Sequence, residues 1–151
     1  MTNNQDTARK GKSPMEKKLI QWSSAFGAGI VWMDYQHQTL IEKINFLYTA
    51  ILEKKGEDLI AETIIFVEDY ISNHFALEEK YMEAYSYPER YEHVEAHEQF
   101  RKNMQELKSF KNTKSELVAE SLCYDLFEWF KNHIKKTDKK LSIFLKAQSE
   151  L

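Results

Sequence analysis

One cysteine, two prolines and four glycines in 151 residues leave this chain with little punctuation. The lone Cys123 excludes an intrachain disulfide and reads as a small buried side chain in a reducing compartment. With so few breakers, and with Leu, Ile, Glu and Lys abundant, long helices with short connections are expected rather than a many-stranded sheet. No apolar run approaches the roughly 20 residues needed to cross a bilayer. The N-terminus lacks the apolar centre of a secretory signal, so no membrane insertion and a cytoplasmic location are expected. Strong charge of one sign is missing too: a net charge of -3 gives no overall attraction for nucleic acid or anionic lipid. The basic residues Arg9, Lys10, Lys12, Lys17 and Lys18 cluster in a polar segment read as a solvated arm over residues 1–18. That arm is the one candidate contact surface, and the sequence does not identify a protein partner.

What remains reads as one domain, residues 19–151, with a single core. Residues 19 to 33 carry two glycines and two tryptophans and are expected as an irregular leader, with Trp22 and Trp32 as core anchors. A first helix is expected from about Asp34 to Lys55, with His37, Leu40, Ile41, Ile44, Tyr48 and Ile51 inward and Gly56 as its stop. A second, from about Asp58 to Tyr85, carries the seam Ile60, Ile64, Val67, Ile71, His74, Glu78, Met82 and Tyr85. Pro88 suits the first position of a third helix ending near Phe110, with His93, His97, Phe100, Met104 and Leu107 inward. After a loop at Lys111 to Lys114, a fourth helix turns Val118, Leu122, Leu126, Trp129 and His133 inward, and a final amphipathic piece, LSIFLKAQ, follows Asp138. The fold class is therefore all-α: an antiparallel up-down-up-down four-helix bundle with an irregular leader and a short C-terminal helix.

Histidine is scarce too, and all five residues fall on the inward stripes: His37, His74, His93, His97 and His133. One such histidine is ordinarily a hydrogen-bonded core residue. Five, with none left for the surface, point to a site. In HFALE, Glu78 follows His74 by four residues, about 40° around a helix. Its carboxylate therefore shares the buried face, where it needs a proton, a partner or a metal. HVEAH places His93 and His97 at the same spacing, able to give adjacent donors to one ion. In HIKKTD, Asp138 is five residues beyond His133 and about 140° away on an ideal helix. The two meet only if the helix ends, tightens or loosens there. Five imidazoles and two carboxylates exceed the needs of one ion and suit a pair, with a donor chemistry closer to iron than to structural zinc.

The pieces WSSAFGAGIVWMDYQHQTLIEKIN, HFALEEKYM, YPERYEHVEAHEQF and LFEWFKNHIKKTDKKLSIFL resemble the hemerythrin family, in register over about residues 19 to 147. The resemblance implies a non-haem centre of two irons joined by an oxo or hydroxo bridge. It assigns His93, His97 and His133 to one iron, His37 and His74 to the other, and Glu78 and Asp138 to both. The first iron is then filled and the second keeps one open position. The implied function is reversible binding of O2 as carrier, store or supplier, without catalysis. An O2 or redox sensor and a di-iron oxidase or peroxidase are the alternatives, the last disfavoured by the histidine-rich donor set. The resemblance also implies an apolar O2 pocket walled by Leu40, Phe75, Trp129, Phe130 and Ile134. Phe130 is a departure, since oxygen carriers of the family often have leucine there.

Overall fold

The computed structural model describes residues 21–109 and 116–149. The expected arm at 1–18 and the loop at 111–114 lie outside the described residues, as do the side chains of Leu107, Val118 and Leu122. A 3-10 turn, Ser24–Phe26, buries Phe26, with the Trp22 ring stacked on it at 5.8 Å. Five α-helices follow: α1 Val31–Leu52, α2 Glu57–Ala84, α3 Arg90–Ser109, α4 Glu116–His133 and α5 Lys139–Ser149. α1 packs on α2 and α4, and α3 packs on the same two. With four residues between α1 and α2 and five between α2 and α3, these neighbours must run antiparallel, as the bundle expectation required.

Several local expectations are corrected. α1 begins at Val31, so Trp32 and Met33 belong to its first turn rather than to the leader. The amide of Asp34 already bonds the Ile30 carbonyl at 2.9 Å. The Asp34 carboxylate faces back and accepts from the amides of Ala28 (2.6 Å) and Gly29 (3.1 Å), which ties the leader to a helix N-terminus that favours negative charge. Trp22 and Trp32 are half-buried, packed against the core's edges. Gly56 does not stop α1, which ends at Leu52; it immediately precedes α2 with φ 102, while Lys54 takes φ 52 in the reversal. A glycine holds that backbone angle without the penalty a Cβ incurs. Pro88 stands in the turn two residues before α3, not on it. Tyr48 is half-buried, its inward place shared with Leu47 and Ala50, and Tyr85 lies past the end of α2, 47 % exposed.

The interior has two apolar clusters. The larger includes Leu40, Ile44, Ile71, Phe75, Phe100, Leu126, Phe127 and Phe130. The smaller joins Met33 of α1, Met82 of α2, Tyr87, and Leu141 and Leu145 of α5. Where the two clusters meet on α1, on α2 and on the stretch from α4 into α5, the buried side chains include His37, His74, Glu78, His133 and Asp138. Among the described residues, with Thr63 and Ser142 the other buried polar side chains, the bundle therefore carries one layer of buried imidazoles and carboxylates between apolar clusters.

Candidate metal centre

Each long helix contributes to that layer. α1 brings His37, α2 brings His74 and Glu78, α3 brings His93 and His97, and the last residue of α4 is His133. Side chains four apart on an α-helix share a face, which accounts for the pairs on α2 and α3. Asp138 is delivered differently. Ile134–Asp138 form one turn of π-helix, whose i to i+5 period returns a residue five positions later to the same side. The flanking His133 and Lys139 are both αR, so α4 and α5 continue as one rod through a loosened turn. Of the three ways His133 and Asp138 were expected to meet, the chain loosens.

All seven side chains are buried, from 0 % exposure for His37, His74, His97, Glu78 and Asp138 to 4 % for His133. The carboxylates stand at the middle, each with one oxygen on either side. Glu78 Oε1 touches His74 Nε2, and its Oε2 lies 3.0 Å from His93 Nε2. Asp138 Oδ2 is 2.9 Å from His37 Nε2 and 3.8 Å from His74 Nε2. Its Oδ1 is 3.1 Å from His93 Nε2 and 3.0 Å from His133 Nε2. Potential donor atoms thus gather into two groups: Glu78, His93, His97, His133 and Asp138 in one, His37, His74, Glu78 and Asp138 in the other. Both acids belong to both.

These short approaches are mostly not aligned as hydrogen bonds. Both oxygens of Glu78 and of Asp138, and Nε2 of His93, His97 and His133, are buried without a hydrogen-bond partner. Lone pairs converging on lone pairs repel unless a cation or a proton lies between them. Burial pushes His74 and His93 down, but the neighbouring Glu78 and Asp138 outweigh it and raise them to about 10 and about 9. Burial pushes the Asp138 carboxyl up, yet the charge of His133 and the close approach of the His133, His37 and His74 rings hold it well below the usual range. His97 is lowered by burial and by the charges of His93 and His133. Glu78 and Asp138 draw positive charge to the middle of the layer, and the donor set fits metal cations.

Two supporting residues were not singled out in the sequence. His74 Nδ1–H donates to Gln36 Oε1 at 2.6 Å, and His97 Nδ1–H donates to Glu79 Oε1 at 3.0 Å. A proton held on Nδ1 leaves the Nε2 lone pair aimed inward, as metal-binding imidazoles require. Their signal was adjacency, since Gln36 precedes His37 and Glu79 follows Glu78. Around the layer, the Phe75 ring lies flat on His97 (3.7 Å, 8°), Phe130 meets His37 edge-on at 6.2 Å, and Trp129 stacks on His133 at 4.6 Å. Leu40, Phe75, Phe130 and Ile134 are buried; Trp129 is half-buried.

Fold and centre together define a class: an all-α bundle protein with a buried histidine–carboxylate centre able to hold metal. Residues 28–142 match the family model described as the hemerythrin HHE cation binding domain. The chain belongs to the hemerythrin family, as its sequence motifs implied. It is 33 % identical over 129 residues to the bacteriohemerythrin of Stenotrophomonas maltophilia, covering 85 % of this chain and 83 % of that one. It is also similar to the bacteriohemerythrins of Pseudomonas paraeruginosa (34 % identical; 79 % of this chain and 76 % of the relative) and Aquifex aeolicus (28 %; 80 % and 92 %). Among the described residues, no helix is long and apolar enough to cross a membrane.

Proposed function

We propose that the unit formed by residues 19–151 binds molecular oxygen reversibly at two non-haem irons with an oxo or hydroxo bridge. The observation that supports this most is the sharing of Glu78 and Asp138 between a group with three histidines and a group with two. His93, His97 and His133 hold one ion, His37 and His74 hold the other, and the two acids span both. When bound, the irons supply the electrons that dioxygen borrows and returns on leaving. With three imidazoles in one group and two in the other, an ion held by His37 and His74 would have the position left for a small ligand. Gln36 holds the His74 ring in orientation and tautomer, as Glu79 does for His97.

The walls decide that the binding reverses. Leu40, Phe75, Phe130 and Ile134 are buried and offer no proton donor, and with half-buried Trp129 they form the apolar surround of the layer. A dry surround favours release of the ligand unchanged over its protonation and loss in reduced form. No turnover belongs to this reading. The test is to load the reduced chain with iron, confirm two ions per chain, and alternate air with inert gas while recording visible absorption. A charge-transfer band that comes and goes over repeated cycles is expected. A band that bleaches on the first exposure, or a chain without stoichiometric iron, refutes the proposal.

A further inference from the structure

Tyr85, the residue that left its expected seam, stands 47 % exposed at the end of α2. Its ring stacks on Tyr81, one turn back, at 6.3 Å and 8°. Half-buried Tyr81 stacks in turn on Trp32 of α1 at 5.0 Å and 19°. Trp32 lies 6.5 Å, centroid to centroid, from the His74 ring. Rings therefore run without a gap from the buried centre to the surface, and the outer three are indole and phenol, the side-chain rings that most readily give up one electron. We propose that Trp32, Tyr81 and Tyr85 form a one-electron relay that moves oxidising equivalents from the metal centre to the protein surface. It rests on the di-iron reading for the origin of those equivalents.

Other rings touch the centre, but their paths stop. Trp129 stacks on His133, and its further ring neighbours are Phe75 (6.4 Å) and Phe100 (4.7 Å), which resist oxidation. Tyr87, 6.4 Å from His93, leads to Phe144. Among the described residues, the Trp32 branch is the one that continues through oxidisable rings to an exposed phenol. It also starts at His74, on the side assigned to the open position, where oxidant arrives.

In each step one electron moves inward and the deficit moves outward: Trp32 to the centre, Tyr81 to Trp32, Tyr85 to Tyr81. The phenol left short of an electron releases its proton to water and becomes a neutral phenoxyl. With hydrogen peroxide as oxidant, one peroxide and two phenols, those of Tyr85 and Tyr81, yield two phenoxyls and two waters. The oxidation then falls on rings that a small reductant in solution can repair, instead of on the buried imidazoles.

The test uses the full-length, iron-loaded chain. Trp22→Phe with Trp129→Phe leaves Trp32 as the remaining indole of three, and azide radicals from pulse radiolysis each remove one electron from it. The indolyl signal should decay as a phenoxyl signal grows, at a rate independent of protein concentration. Tyr81→Phe should abolish that growth; growth at an unchanged rate overturns the proposal. In a second arm, the chain without tryptophan substitutions is mixed with peroxide and freeze-quenched. A tyrosyl paramagnetic signal should appear and be lost when Tyr81→Phe and the surface change Tyr85→Phe are combined. Its absence from the unsubstituted chain, or its persistence in the double variant, also overturns the proposal. Iron content measured on the same samples, and the radiolysis arm, which needs no metal chemistry, separate failure of the relay from failure of the di-iron reading.

Discussion

Removing the metal should cost this chain a large part of its stability. Seven side-chain atoms that face the centre, both oxygens of Glu78 and of Asp138 and Nε2 of His93, His97 and His133, are buried without a hydrogen-bond partner. A buried polar atom left unpaired costs about 1–3 kcal/mol, while a whole domain is stable by only ~5–15 kcal/mol. Even the low end of that range, applied across the layer, rivals the stability available. The metal-free chain must therefore relieve the layer by taking up protons or by loosening around it. Binding acts in the opposite direction: each site occupied at about one hundred times its dissociation constant adds ~2.7 kcal/mol. For two sites in a chain of this size, the melting temperature should rise by roughly 10–20 °C. The measurement is thermal unfolding followed by circular dichroism on the iron-loaded chain, on the same sample after anaerobic chelation, and after iron is restored. Coincident melting curves would show that the polar layer does not depend on a cation, and the reasoning would fail.

Three further outcomes follow from single side chains. Gln36→Leu or Glu79→Leu removes the acceptor that holds the Nδ1 proton of His74 or His97, and iron affinity should fall by about 10–100-fold in competition with a chelator; affinity equal to that of the unsubstituted chain would remove both residues from the centre. Burial, reinforced by the charge of Glu120, pushes the Cys123 thiol up to about 12. At neutral pH it is almost wholly protonated and only 1 % exposed, so a disulfide reagent should modify it after denaturation and not before. Prompt labelling of the folded chain would contradict that. Asp34→Ala leaves the Ala28 and Gly29 amides without their acceptor and should destabilise the chain by about 0.5–2 kcal/mol in urea unfolding, with iron stoichiometry unchanged.

Much of the centre was legible because its signal is local. His74 with Glu78 and His93 with His97 are four apart, and helix geometry alone puts such pairs on one face. Their place within the apolar rhythm of Ile64, Ile71, Phe100 and Met104 fixes that face as inward. Tyr85 misled because the same rhythm was extended one step past the end of α2, where the chain turns and the ring is left 47 % exposed. Gly56 misled because a glycine between two helices serves equally as the stop of the first or the entry to the second. The backbone angle that decides between them depends on how sharply the chain must reverse.

The sequence by itself pointed to the helices, to most of their inward positions and to six of the seven side chains of the buried polar layer, because periodicity and side-chain chemistry are properties of short stretches. It left Asp138 undecided, since five residues can be an α, a tighter or a looser turn according to what the flanking segments gain. The packing of α4 and α5 against the other helices selects the π-turn, which returns that carboxylate to His133. Only the tertiary structure could set one oxygen of each acid on either side of the layer, seat Gln36 and Glu79 behind imidazoles from other helices, and stack Trp32 on Tyr81. Contacts between helices depend on their relative rotation and depth, and no spacing along a single helix encodes those.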